Sequence, residues 1–183
     1  RFEMLEETLR ITHELWRGEQ GSEAAFRGQH YQAERLLNSP QALSRPHPPI
    51  LVGGGGERKT LRLVAQYADA TNVFGGPDAL RHKYQVLRAH CEAIGRDYAT
   101  IEKTNLTSAD ISADGHGRSV GTAELVDRLG DWAEAGSQHT IVGVERVDDI
   151  AKLELIGREV IPHIRGLGEP SPIRSLQPLA VPA

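Results

Sequence analysis

One stretch constrains the fold more than any other. Ile50-Leu51-Val52 is wholly apolar, four consecutive glycines occupy residues 53–56, and a helical pattern starts at once and runs over residues 57–67. An apolar run this short, bounded by Pro49 and by glycine, predicts a strand buried on both faces, as in a parallel sheet. Such a strand delivers the chain to the carboxyl edge of the sheet, where α/β folds bind their ligands.

The rest of the chain repeats that grammar. Residues 2–17 predict an amphipathic helix with Phe2, Leu5, Leu9, Leu15 and Trp16 on one face and Gly18 as its stop. Residues 19–49 are polar and carry Pro40, Pro46, Pro48 and Pro49. They are too long for a simple connector and predict a structured excursion or lid, with hairpin character at residues 26–31. After the glycines come a strand at residues 70–74, a helix at 78–94 and a less apolar strand at 101–111. A helix capped by Thr122, a strand at 139–144 and a last helix from Asp148 or Asp149 to Ile164, bent by Pro162, complete the pattern. Residues 166–183, rich in proline, predict a loose tail. Alternation of this kind demands parallel strands and right-handed crossovers. Four strands make a thin two-sided sheet but half of an eight-stranded barrel, so the expected fold is α/β, a (β/α)8 TIM-type barrel of which this chain supplies about half.

The glycine turn has its own chemistry. Without side chains, Gly53, Gly54, Gly55 and Gly56 can bring their N–H groups up to a ligand. The following helix adds unpaired N–H groups and a partial positive charge at the same place, which together make an anion site suited to phosphate. Arg58 or Lys59 could add a charged contact, or could simply be solvated cations in a first turn. The alternative, a turn with surplus glycine, must carry about 1 kcal/mol of lost chain entropy per residue relative to alanine. A Walker A loop fails, because Arg58-Lys59-Thr60 stands where Gly-Lys-Ser/Thr is needed, and G-x-G-x-x-G fails at Lys59.

Other function classes fall away on composition. A net charge of −4 over 183 residues offers no footprint for nucleic acid or an anionic membrane, and no apolar run approaches a membrane span. The single cysteine, Cys91, excludes an internal disulfide, fits a reducing cytoplasm and sits on an apolar helical stripe as a buried thiol. Eight histidines show no metal-ligand spacing, so no metal is expected. Glu102, Lys103, Thr104 and Asn105 could point polar groups into a pocket or could merely pack. Glu145 and Arg146, past the last strand, are candidates for substrate contact.

Residues 48–72, PPILVGGGGERKTLRLVAQYADATN, resemble a segment of the luciferase-like flavin and deazaflavin oxidoreductases, above all their F420-dependent branch. Collinear matches support the resemblance. They are Arg1-Phe2-Glu3 with Leu5-Glu6-Glu7 and Leu15-Trp16, Phe26-x-Gly28-x-x-Tyr31, Gly95-Arg96-Asp97, Gly121-Thr122-Ala123-Glu124, and Glu159-Val160-Ile161-Pro162. The resemblance implies a barrel of which residues 1–165 are about the carboxyl-terminal half, and which binds F420, or alternatively FMN, at the carboxyl ends of its strands. It implies that residues 53–56 hold the cofactor phosphate, with Arg58 near and Val73, Phe74 and Gly75 alongside. It further implies hydride transfer to or from a small organic substrate, with a homo-oligomer or an amino-terminal half-barrel as partner. The alternatives are an FMN-dependent monooxygenase and a non-catalytic half-barrel that self-associates. Two departures stand out: the family's first four strands are not in this chain, and residues 112–121 are too few for the helix usual there.

Overall fold

The computed structural model describes residues 1–168 and 170–173; residues 174–183, most of the expected tail, lie outside them. The chain opens with helix α1 (Phe2–Leu15). The excursion follows as four two-residue strands, β1 (Gly21–Ser22), β2 (Phe26–Arg27), β3 (Gln32–Ala33) and β4 (Leu36–Leu37). The hairpin β2–β3 is nested inside the antiparallel pair β1–β4. Then come β5 (Leu51–Gly53), α2 (Thr60–Tyr67), β6 (Ala70–Val73), α3 (Pro77–Ala93) and β7 (Glu102–Ala109). A small parallel pair, β8 (Ile111–Ser112) with β9 (Val120–Gly121), leads into α4 (Thr122–Glu134) and β10 (His139–Val144). The last segment is α5 (Ile150–Leu155), one π-turn over Ile156–Val160, and α6 (Ile161–Ile164). Pro162 lacks the N–H that an α-register would direct back to residue 158, and the widened turn falls just before it.

β5, β6, β7 and β10 form one parallel sheet in consecutive order, the order of neighbouring strands in a barrel. The register separates its two faces. Val52, Val73, Val142 and Val144 point one way and pack under the helices with Leu61, Leu63, Leu80, Leu87 and Leu129. Each fully buried Leu contributes about 1.5–3 kcal/mol relative to exposure. Cys91 is buried in this layer, and burial pushes its thiol pKa up. Leu51, Leu106 and Ile141 point the other way and are exposed, Leu51 by 51%. The expectation of a strand covered on both faces is therefore corrected: β5 is covered on its helix side only.

The amino end of the sheet is tied down by side chains. Asp69 accepts the Ile50 N–H at 2.8 Å, and Gln138 accepts the Lys103 N–H at 3.0 Å. The Arg96 guanidinium donates to the carbonyls of Ala65 at 3.1 Å and Ala68 at 2.7 Å, closing the carboxyl terminus of α2 with a cation. α1 is held to the excursion by one carboxylate. Glu7 accepts the N–H groups of Gln29, His30 and Tyr31 at 2.7, 3.0 and 2.9 Å, and Gly28 leaves room for it. Burial works against the Glu7 charge, but these donors outweigh it and hold its pKa below the ordinary value. Thr122 is corrected from cap to first residue of α4: Gly121 is the N-cap, and the Thr122 hydroxyl donates to Glu159 Oε2 at 3.2 Å. No helix among the described residues is long and apolar enough to cross a membrane.

Candidate functional site

The glycines stand at the carboxyl rim of the sheet. Gly53 ends β5 opposite Asn72 of β6. Gly54 has φ +117°, a region that disfavours every side chain, and its N–H donates to the Asn72 carbonyl at 2.8 Å. A Cβ on Gly56 would lie 2.7 Å from Thr60 Oγ1, and one on Gly55 would lie 3.5 Å from Lys83 Cε. Gly53 and Gly56 are exposed. Among the described residues the N–H groups of Gly55 and Gly56 have no hydrogen-bond partner. They are therefore free to receive an anion.

The helix behind them begins later than expected. Residues 57–59 form a turn, the Leu61 N–H donates to the Gly56 carbonyl at 3.0 Å, and α2 starts at Thr60 rather than at Glu57. α3 imposes this shape. The Glu57 carboxylate takes Lys83 Nζ at 2.5 Å and His82 Nε2 at 3.0 Å, while its carbonyl accepts His90 Nε2 at 2.8 Å. The Lys83 hydrogen bond, then that of His82, holds the Glu57 carboxyl below its ordinary range. A negative charge beside the glycines is thus neutralised, and the first turn of α2 carries no acid. Arg58 is exposed at this turn; Lys59 Nζ lies 5.3 Å over the Phe2 ring.

At the end of β6, Val73 is fully buried under the helices and offers the rim only its backbone. Phe74 stands out from the rim, 60% exposed. Gly75 has φ +134°, and its carbonyl accepts the Trp132 indole N–H at 3.2 Å. Sequence reasoning missed Asn72. Its Oδ1 is buried on the open face with no partner among the described residues, a free acceptor beside the glycines. Its signal was an amide between the apolar ends of a short strand.

The polar run on β7 is largely taken up in packing, and only Lys103 among its four residues borders a cleft, with Tyr84, Arg88 and Tyr98. Glu102, Lys103, Thr104 and Asn105 are all buried, Thr104 Oγ1 donates to the Thr71 carbonyl at 2.9 Å, and Asn105 Oδ1 accepts Ser137 and Thr140 at 2.7 Å each. Past β7 and β10 lies a second charged group. Asp110 bonds Lys152, which is nearly buried, and Arg146 approaches it at 3.9 Å from a backbone with φ +53°. The Lys152 bond holds the Asp110 carboxyl below its ordinary value. Glu145 is exposed beside them. Asp110 and Lys152 are separated by 42 positions and gave no sequence signal. Among the described residues no group of three or more His, Cys, Asp or Glu could hold a metal ion.

The sequence matches the profile of the luciferase-like monooxygenase family over residues 1–114. Among curated proteins nothing matches. Solved structures align along most of the chain at low identity. An F420-dependent secondary alcohol dehydrogenase, in complex with an F420-acetone adduct, superposes with a TM-score of 0.75 at 15% identity, over 90% of this chain and 62% of that one. The coenzyme F420-dependent tetrahydromethanopterin reductase from Methanopyrus kandleri gives 0.72 at 14% identity, over 86% and 63%. EDTA monooxygenase from Chelativorans sp. BNC1 gives 0.73 at 16% identity, over 94% and 61%. The chain thus spans less than two-thirds of the length of these structures, and its four consecutive parallel strands correspond to half a barrel.

Proposed function

Because the chain belongs to the luciferase-like monooxygenase family, we propose that it supplies the phosphate-gripping half of an F420-dependent oxidoreductase acting on a small organic substrate. The observation that carries this reading is the pair of unpartnered amides at Gly55 and Gly56, set at the carboxyl rim with the positive start of α2 behind them. Gly53 and Gly54 keep side chains out of the approach, Arg58 adds charge from the turn, and Lys83 neutralises Glu57. Val73 and Gly75 contribute backbone, and the exposed Phe74 ring gives a planar cofactor an apolar wall. Asn72 Oδ1 accepts a hydrogen bond from whatever N–H or O–H donor lies against the open face. When bound, the deazaflavin supplies hydride chemistry; the residues here bind, orient and exclude water.

The test is a paired titration of this chain with F420 and with FMN, read by cofactor fluorescence. F420 binding at least about tenfold tighter than FMN supports the proposal, a difference of about 1.4 kcal/mol. Tighter FMN binding moves the chain to the flavin-dependent monooxygenases. Binding of neither overturns the cofactor reading.

A further inference from the structure

A second site lies on the outside of the half-barrel, away from the glycine rim. α1 runs alongside α2 from Phe2, whose ring meets Lys59 at the rim, to His13, whose Nε2–H donates to the Tyr67 carbonyl at 3.0 Å at the far end of α2. Between the second half of α1, the excursion and the end of α2 is a cavity of about 580 Å³. That is within the range of small-molecule sites, roughly 300–1,000 Å³.

Its walls differ in character. His13 and Glu14 stand three and four residues after Arg10, and Arg17 three after Glu14 just past the end of α1, so one stripe of α1 and its exit faces the cavity with charged and polar groups. The opposite wall is apolar, with Phe26 and Leu36 buried in the excursion. The acids nearby are already engaged: Glu14 holds Arg17 at 2.7 Å, and Glu6 holds Arg62 at 3.0 Å. Among the described residues Arg10 has no carboxylate partner. Its guanidinium carbon lies 5.3 Å from the centroid of the Phe26 ring, and both residues line the cavity.

We propose that this cleft binds an organic anion with an apolar body, a small aromatic carboxylate in chemical class. The carboxylate meets the Arg10 guanidinium, and the ring lies between Phe26 and Leu36. Arg17 adds charge while remaining paired with Glu14, and the His13 ring borders the carboxylate, its Nε2–H committed to Tyr67. Such a fork-shaped contact suits a planar carboxylate. The site is independent of the cofactor reading, because none of its residues touches the glycine turn.

The experiment is an NMR titration of the isotopically labelled chain with 2-naphthoate, repeated with neutral 2-naphthylmethanol. The expected result is saturable shifts confined to the amides of α1 from residue 10 onward, of Phe26 and of Tyr67, with the alcohol at least about tenfold weaker. Arg10→Ala should weaken naphthoate at least tenfold, and Arg10→Lys should recover part of the loss; an unchanged spectrum elsewhere shows that both variants fold. Equal binding of the alcohol, shifts centred on Leu106 and Ile141 instead, or no saturation at millimolar ligand would each overturn the proposal.

Discussion

The two ends of the four-stranded sheet handle the same problem in opposite ways. At the amino end, backbone groups that strands and helices leave unpaired are met by side chains: Asp69 takes the Ile50 N–H, Gln138 the Lys103 N–H, and Arg96 the last carbonyls of α2. At the carboxyl end, the glycines remove side chains, and the Gly55 and Gly56 amides stay unmet among the described residues. Buried polar groups cost free energy unless paired, so the first arrangement stabilises the fold. The second leaves two donors open, the binding capacity proposed above for the glycine turn. Barrel folds divide stability and chemistry between their two rims in this sense.

The comparison breaks most readily at Arg96. Arg96→Ala should cost about 2–3 kcal/mol in urea unfolding, the scale of losing charge-assisted bonds to carbonyls at a helix end, without altering F420 affinity of the folded protein. An affinity loss as large as the stability loss would erase the division between the rims. Gly54→Ala puts a side chain at φ +117° and should weaken cofactor binding about tenfold while lowering stability by about 1 kcal/mol; unchanged affinity would separate the glycine turn from the phosphate. Lys83→Met, by exposing the Glu57 charge to the bound anion, should weaken binding about threefold, and the loss should shrink at high salt. The smallest effect is on acid stability. Glu57 and Asp110 at the carboxyl rim, and Glu7 on α1, titrate below their ordinary values of 4.5 for Glu and 3.8 for Asp. Each binds its proton more readily unfolded than folded. Their stabilisation is therefore complete above about pH 5 and lost as pH falls through the depressed values, below about pH 4. Glu57→Gln should make that decline shallower, as followed by circular dichroism from pH 6 to pH 2.

How much of this was legible follows from how local each signal is. The strand at Leu51–Gly53 and the glycine turn were readable because an apolar triplet and four glycines carry their meaning without distant partners. The start of α2 was misplaced by three residues. Glu57, Arg58 and Lys59 look helical in isolation, while the turn they form is fixed by His82, Lys83 and His90 on the next helix. Thr122 reads as a cap by composition, but its hydroxyl is drawn to Glu159, 37 positions away. The polar run on β7 stayed ambiguous because alternation cannot say whether an inward group meets a ligand or a neighbouring strand. Leu51 was expected to be covered on both sides, since nothing in its own run states which face the chain itself covers. Asn72 left a local trace, an amide within a short strand, whereas the Asp110–Lys152 pair needed three-dimensional contacts to find.

β5 and β10 are the outer strands of the sheet, each with one side unpaired among the described residues, and the strands between them run in the same direction. Polarity is therefore imposed on whatever closes the ring. A strand that continues the parallel ladder beside β5 must bring its own tail to the level of Gly53. The connection leaving that strand then hangs over the glycines, so closing the wall and furnishing the mouth of the barrel are one geometric act.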